Sequence, residues 1–186
     1  GVKTVETALA GVLIVEPDVF GDARGFFLEA FRVEQVAGFA GAGSGGILQL
    51  NHSRSVRGTV RGLHFQEPRP QGKLVWVVHG AILDVVVDVR RGSPSFGNHV
   101  TVELDETNHR RVWVPPGFAH GFSVLSETAD CMYACTDYYA PECERTIAWN
   151  DPALAIDWRV GAAIVSPKDA AAPRLADAAI LPAYVR

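Results

Sequence analysis

Apolar residues along this chain fall into short runs, each stopped by glycine, proline, asparagine or aspartate. Most runs alternate with the two-residue period of a strand. In Ile47 to Ser53, ILQLNHS, the residues Gln49, Asn51 and Ser53 face one way and Leu48 and Leu50 the other. Val12 to Glu16 reads as a strand stopped by Pro17, and Phe20 to Gly25 as a turn. Phe26 to Phe31 follows as strand, with Phe27 and Glu29 on one face. Leu74 to Arg90, LVWVVHGAILDVVVDVR, splits at Gly80 into two strands whose near-continuous β-branched residues predict burial on both faces. Asp84 and Asp88 share a face of the second, so at least one needs a partner, and one of them is expected to orient His120. Ser93 to Gly97 is a turn, as is Asp105 to Asn108 between strands at Val100–Leu104 and Arg111–Val114. Cys131 to Tyr139 reads as a strand carrying Tyr133, Asp137 and Tyr139 on one face.

Helical pattern is scarce. Phe31 to Phe39 predicts one short helix with Phe31, Val36 and Phe39 inward, followed by a flexible connector at Ala40–Gly46. Trp149 to Trp158 is irregular. The Ala-rich tail, about 159–186, is broken by Pro167, Pro173 and Pro182 and leaves room for a short helix near Arg174–Ile180. Many short strands without a repeat or an interdomain linker predict an all-β sandwich or barrel, one domain over 1–186.

One stretch breaks the apolar pattern: Arg61 to Lys73, RGLHFQEPRPQGK. It reads as a strand, a turn forced by Pro68 and Pro70, and a new strand opening at Lys73. Cations and a histidine interrupting an apolar sheet cost free energy unless paired or used. The stretch is therefore expected to line a barrel mouth and hold an anionic, carbonyl-containing ligand.

Composition narrows the partners. A net charge of −4 with no basic patch argues against nucleic acid. No apolar run reaches membrane-spanning length, and no signal segment opens the sequence. Cys131, Cys135 and Cys143 form no C-x-x-C pair and read as reduced core thiols of a cytoplasmic protein. His64 and His120 each close a strand-like run at a glycine-bearing turn, the layout of a two-motif cupin. A cupin metal site wants H-x-H in the first motif, and here His64-Phe65-Gln66 stands in its place. No metal is expected, because two histidines fall short of the three protein ligands a catalytic centre uses. Both rings are left free for proton transfer or hydrogen bonding.

Seven segments in order, RGLHFQ (61–66), QGKL (71–74), DVVVDVRRGSPSFG (84–97), VPPGFAHGF (114–122), YACTDYYAPECE (133–144), WNDP (149–152) and SPKD (166–169), resemble the dTDP-4-dehydrorhamnose 3,5-epimerase family. The resemblance runs from about Asp22 to Asp169. It implies a cupin-type double-stranded β-helix, or jelly roll, with short peripheral helices, acting as a homodimer without a cofactor. It implies conversion of dTDP-4-dehydro-6-deoxy-D-glucose to dTDP-4-dehydro-L-rhamnose, a precursor of surface polysaccharide and of some glycosylated natural products. By the same resemblance His64 is the base, Asp169 its dyad partner, Tyr133 the acid on the opposite face, and Lys73 the cation beside the enolate oxygen. Gln49, Asn51, Arg61, His120 and Lys168 match sugar- or pyrophosphate-binding positions, Tyr139 an aromatic stacked on thymine, and Glu144 a further binding residue. Arg24, Phe27 and Glu29 match residues lent by the neighbouring subunit. Ala134 replaces a frequent basic residue and Arg145 a frequent glycine, both changes at the pocket rim.

The chemistry fits these residue types. A ketone at carbon 4 acidifies the protons on carbons 3 and 5, and inversion needs a base on one face, an acid on the other and a stabilised enolate between. Strict alternation puts Arg61 and His64 on opposite faces, so a bulge or bend is expected at Gly62. A single-carbon epimerase would use the same groups and is the alternative; a metal-dependent cupin enzyme and a non-catalytic sugar-nucleotide binder are disfavoured by the broken H-x-H and the retained acid–base set.

Overall fold

The computed structural model of the chain describes residues 1–40 and 46–186; most of the expected connector at Ala40–Gly46 lies outside them. In chain order the elements are β1 (Val2–Glu6), β2 (Leu13–Pro17), β3 (Val19–Asp22), β4 (Gly25–Leu28), α1 (Val33–Ala40), β5 (Gln49–Val56), β6 (Val60–Gln66), β7 (Lys73–His79), β8 (Ala81–Asp88), β9 (His99–Asp105), β10 (Arg111–Val114), β11 (Phe118–Val124), β12 (Thr128–Cys135), β13 (Glu144–Thr146) and α2 (Pro167–Ala170). A six-stranded sheet runs β1-β2-β10-β7-β12-β5 and a five-stranded sheet β13-β6-β11-β8-β9, each antiparallel throughout. The two sheets make the jelly roll.

Three apolar layers follow from strand alternation. Val75, Val77 and Val112 of the first sheet meet Ile82, Val86 and Phe122 of the second in the central core. Outside the second sheet, Val85, Val87 and Leu63 pack under Trp158, which ends the irregular segment, and Leu175 of the tail. Val85 and Val86 thus point into different layers, which is why β8 carries apolar residues at successive positions. Outside the first sheet, α1 lays Val36 and Phe39, with Phe31 just before it, over Trp76 and Trp113. The tail is also laced to its own chain: Arg91 N–H donates to the Pro182 carbonyl and Tyr184 N–H to that of Arg91.

Four local expectations change. Phe20–Asp22 is strand, not turn, because the reversal needs only Ala23 and Arg24, where Asp22 Oδ1 accepts the Arg24 N–H at 2.8 Å. The following strand ends at Leu28, short of Phe31. The strand expected to reach Tyr139 ends at Cys135, where Thr136 exchanges hydrogen bonds with Gly72 and turns the chain. In the tail the α-turn is at Pro167–Ala170, and Leu175–Asp177 forms only a 3₁₀ turn.

Candidate functional site

A cavity of about 560 Å³ opens between the sheets. β6 and β11 supply one wall with Arg61, His64 and His120; β5, β7 and β12 supply the other with Gln49, Asn51, Lys73 and Tyr133. His64 and Tyr133 therefore enter one cavity from facing sheets. Tyr139 and Glu144 line its rim.

Arg61 and His64 share this cavity because the strand is irregular between them. His120 pairs with His64 and Phe122 with Arg61, so Gly62 and Leu63 together face Gly121. That is the bulge expected at Gly62. Its φ of +132° and the Gly121 Cα 2.8 Å from where a Cβ would stand leave no room for a side chain.

His64 Nε2 lies 2.7 Å from Asp169 Oδ1, and Asp169 Oδ2 accepts the Gly62 N–H at 3.0 Å. The Asp169 side chain is 6% exposed and that of His64 31%, so the dyad has a buried end and a cavity end. Burial opposes the Asp169 charge, yet the bonds from His64 and Gly62 and the nearby Lys168 outweigh it, and the carboxyl titrates below its ordinary range. With Nε2 donating to a carboxylate, Nδ1 keeps the lone pair a base needs.

Lys73 opens β7 with its Nζ 5.9 Å from the Tyr133 ring centre. Burial pushes its pKa down, partly offset by Cys135, Glu144 and Asp84. Burial also pushes the Tyr133 phenol up, which keeps it a proton donor at neutral pH. Asp84 is wholly buried and hydrogen-bonds His120 Nε2 at 2.6 Å, the orienting role expected of one of the two strand aspartates. Burial raises its pKa while His120 and Lys73 pull it back. Asp88 instead anchors Arg90, Ser93 and Ser95, a purely structural knot.

At the rim, Tyr139 Oη donates to Glu144 Oε2 at 2.8 Å and Lys168 Nζ pairs with the same carboxylate. Asp137, expected on the Tyr133 face, lies beyond the strand and pairs with Arg69. Arg24, Phe27 and Glu29 are not brought to this cavity: Arg24 pairs with Asp22, Glu29 with Arg32, and Phe27 lies out on the β3–β4 hairpin, 68% exposed. The cavity also uses Ser53, Gln71 and Phe122. The alternation in β5 pointed to Ser53, whereas Gln71 and Phe122 sit beside recognised positions with no pattern of their own. No group of three or more His, Cys, Asp or Glu able to hold a metal ion occurs among the described residues, and none of their helices is long and apolar enough to cross a membrane.

A family model described as dTDP-4-dehydrorhamnose 3,5-epimerase matches residues 6–177. A Pseudomonas aeruginosa protein named dTDP-4-dehydrorhamnose 3,5-epimerase is 48% identical over 184 residues, 97% of this chain and 99% of that one. A Legionella pneumophila 3,5-epimerase solved with dTDP-4-keto-L-rhamnose superposes with a TM-score of 0.95 at 48% identity, covering 100% of both chains. A 3'-monoepimerase from Streptomyces bikiniensis, solved with dTDP-quinovose, gives 0.89 at 36% identity over 96% of this chain and 92% of that one.

Proposed function

The chain belongs to the dTDP-4-dehydrorhamnose 3,5-epimerase family, and on that premise we propose how its cavity inverts carbons 3 and 5 of dTDP-4-dehydro-6-deoxy-D-glucose. The observation that carries the reading is the entry of His64 and Tyr133 from facing sheets into one cavity beside Lys73. Nδ1 of His64 takes the proton from the carbon next to the ketone. The C–H electrons move into the carbonyl, and the oxygen becomes an enolate beside the Lys73 ammonium. Tyr133 then gives its proton to the same carbon from the other face. Solvent returns a proton to the phenolate and accepts the one held by the imidazolium. Each cycle is redox-neutral and moves only protons, so it calls for no cofactor. Both reacting carbons flank one ketone, and a single base–acid pair serves both if the sugar shifts between cycles.

Arg61, Gln49, Asn51, His120 and Lys168 are assigned to the sugar and the pyrophosphate, Tyr139 to the thymine, and Glu144 to a further contact at the rim. The β3–β4 hairpin holds Phe20, Phe26 and Phe27 at 63%, 61% and 68% exposure. Three exposed phenylalanines on one projecting hairpin favour a partner, in keeping with a homodimer in which Arg24, Phe27 and Glu29 complete the neighbour's site. Buried free thiols at Cys131, Cys135 and Cys143 favour the cytoplasm. Packing of the tail on its own sheet favours one functional unit across 1–186.

Incubation with the substrate in deuterated water tests the reading. Deuterium at carbons 3 and 5 of the product is expected. Uptake at one carbon selects the single-carbon alternative, which the likeness to the Streptomyces 3'-monoepimerase keeps in view. No uptake would remove both.

A further inference from the structure

Glu144 sits where substrate contact alone does not account for its partners. Its carboxylate accepts from Tyr139 and pairs with Lys168, the residue before Asp169 on α2. That helix is a single turn, too short to hold itself. Its aim must come from its cap and from ties to the rest of the fold. Ser166 Oγ accepts the Asp169 N–H at 3.1 Å as an N-cap. The chain just before is bonded beside β6, with Val60 N–H donating to Ile164 O at 3.0 Å and Ile164 N–H to Gly58 O at 2.9 Å. Both of these hold the helix from its N-terminal side, Ala148 N–H donates to Pro173 O at 2.8 Å beyond its C-terminal end, and Asp169 itself accepts the Gly62 N–H. On the side facing the cavity mouth the tie is Lys168 to Glu144. Glu144 is itself fixed on β13, paired with Gln66 of β6, while Thr146 pairs with His64. The strand register that sets the base therefore also sets the anchor of the helix that carries its aspartate.

We propose that Glu144 is a positioning residue for the base: through Lys168 it holds α2 so that Asp169 meets His64. The inference rests on the epimerase reading and assigns Glu144 a task beyond ligand contact. A binding role lowers affinity; a positioning role lowers turnover of bound substrate. Misplacement by about 1 Å costs on the order of 10²-fold in rate, and losing one of several ties leaves part of that, about tenfold.

The test measures kcat and KM, by deuterium uptake into dTDP-4-dehydro-6-deoxy-D-glucose, for Glu144→Gln, Lys168→Met, the double variant and Lys168→Arg. The Lys168 side chain is 59% exposed, so its removal leaves the fold in place, and melting curves confirm this for each protein. The expected result is a kcat about tenfold lower in each single variant, a double variant no slower than the slower single, and most of the rate recovered in Lys168→Arg. Higher KM at unchanged kcat, or single losses that multiply in the double variant, would overturn the positioning role alone. A wild type that takes up no deuterium would overturn the epimerase reading instead.

Discussion

Asp169→Asn is the sharpest perturbation this site offers, because the consequence follows from hydrogen-bond polarity. The carboxylate accepts from His64 Nε2 at 2.7 Å and from the Gly62 N–H at 3.0 Å. An asparagine brings one acceptor and one donor to the same two partners. If its oxygen stays on Gly62, its amide N–H faces Nε2, which must then accept. The ring proton moves to Nδ1 and the cavity-facing lone pair is gone. If the amide turns over, its NH₂ meets the Gly62 N–H, and two donors face each other in a buried site at a cost of about 1–3 kcal/mol. That alone leaves the working tautomer roughly 5- to 150-fold less populated. The negative charge that steadies the imidazolium is lost as well, and the matching change in a Ser-His-Asp triad lowers kcat about 10⁴-fold. For His64, whose side chain keeps 31% of its surface, kcat is expected to fall roughly 10²- to 10⁴-fold with little change in KM. Asp169→Ala admits water, which accepts or donates as the ring requires, so alanine should retain more activity than asparagine. Initial rates and deuterium uptake at carbons 3 and 5, followed by NMR, measure both. An asparagine variant within about threefold of wild type, or faster than the alanine variant, would refute the tautomer argument.

Tyr133→Phe should keep solvent exchange at the reacting carbons while lowering inversion about 10²- to 10³-fold, read as deuterium retained in substrate against product formed; equal inversion in the two proteins would remove Tyr133 as the acid. Around Asp88, burial opposes the charge, but Arg90, Ser93 and Ser95 hold the pKa down to about 2. A folded-state pKa below the ordinary 3.8 means stability present above that value and lost as pH falls through about 2. Denaturation from pH 5 to 2 should show roughly 2 kcal/mol of this loss in wild type and none of it in Asp88→Asn, whose stability is already reduced at neutral pH; parallel curves would disprove the linkage. Gly62→Ala places a Cβ 2.8 Å from Gly121 Cα at a φ of +132°, and should lower stability by at least about 2 kcal/mol in urea denaturation; a wild-type midpoint would show that the β6–β11 crossing tolerates a side chain.

Much of the fold could be read from the chain, for physical reasons that also mark where reading stops. The β8 run is apolar at consecutive positions because two different layers cover it, and burial on both faces was evident from β-branching alone. Polar alternation in β5 signalled a wet face but not which kind, since water and a ligand cavity select the same residues. The end of β12 was hidden because Thr136 leaves the sheet through a bond to Gly72, 64 positions away. The α2 turn was legible in principle: Ser166 followed by Pro167 is an N-cap and a first-turn proline. Alanines and prolines on its C-terminal side obscured it. Asp169 was accessible only through family resemblance, because its partner His64 lies 105 positions earlier and no periodicity links a strand to a loop at that distance.

The same topology explains why this architecture suits an inversion. Retention at a carbon needs only one face of a substrate to be served, and a single sheet with loops provides that. Inversion needs acid and base on opposite faces at a fixed separation. In this chain β6 and β12 lie in different sheets, and the alternation of each strand turns His64 and Tyr133 inward to the same cavity. The distance between the two groups is then set by how the sheets pack around it. That spacing rests on the shared core of Val75, Val77, Ile82 and Val86 rather than on any loop. Core substitutions there should accordingly alter the ratio of exchange to inversion before they abolish exchange, since in the proposed mechanism proton removal needs His64 alone and inversion needs both sheets in register.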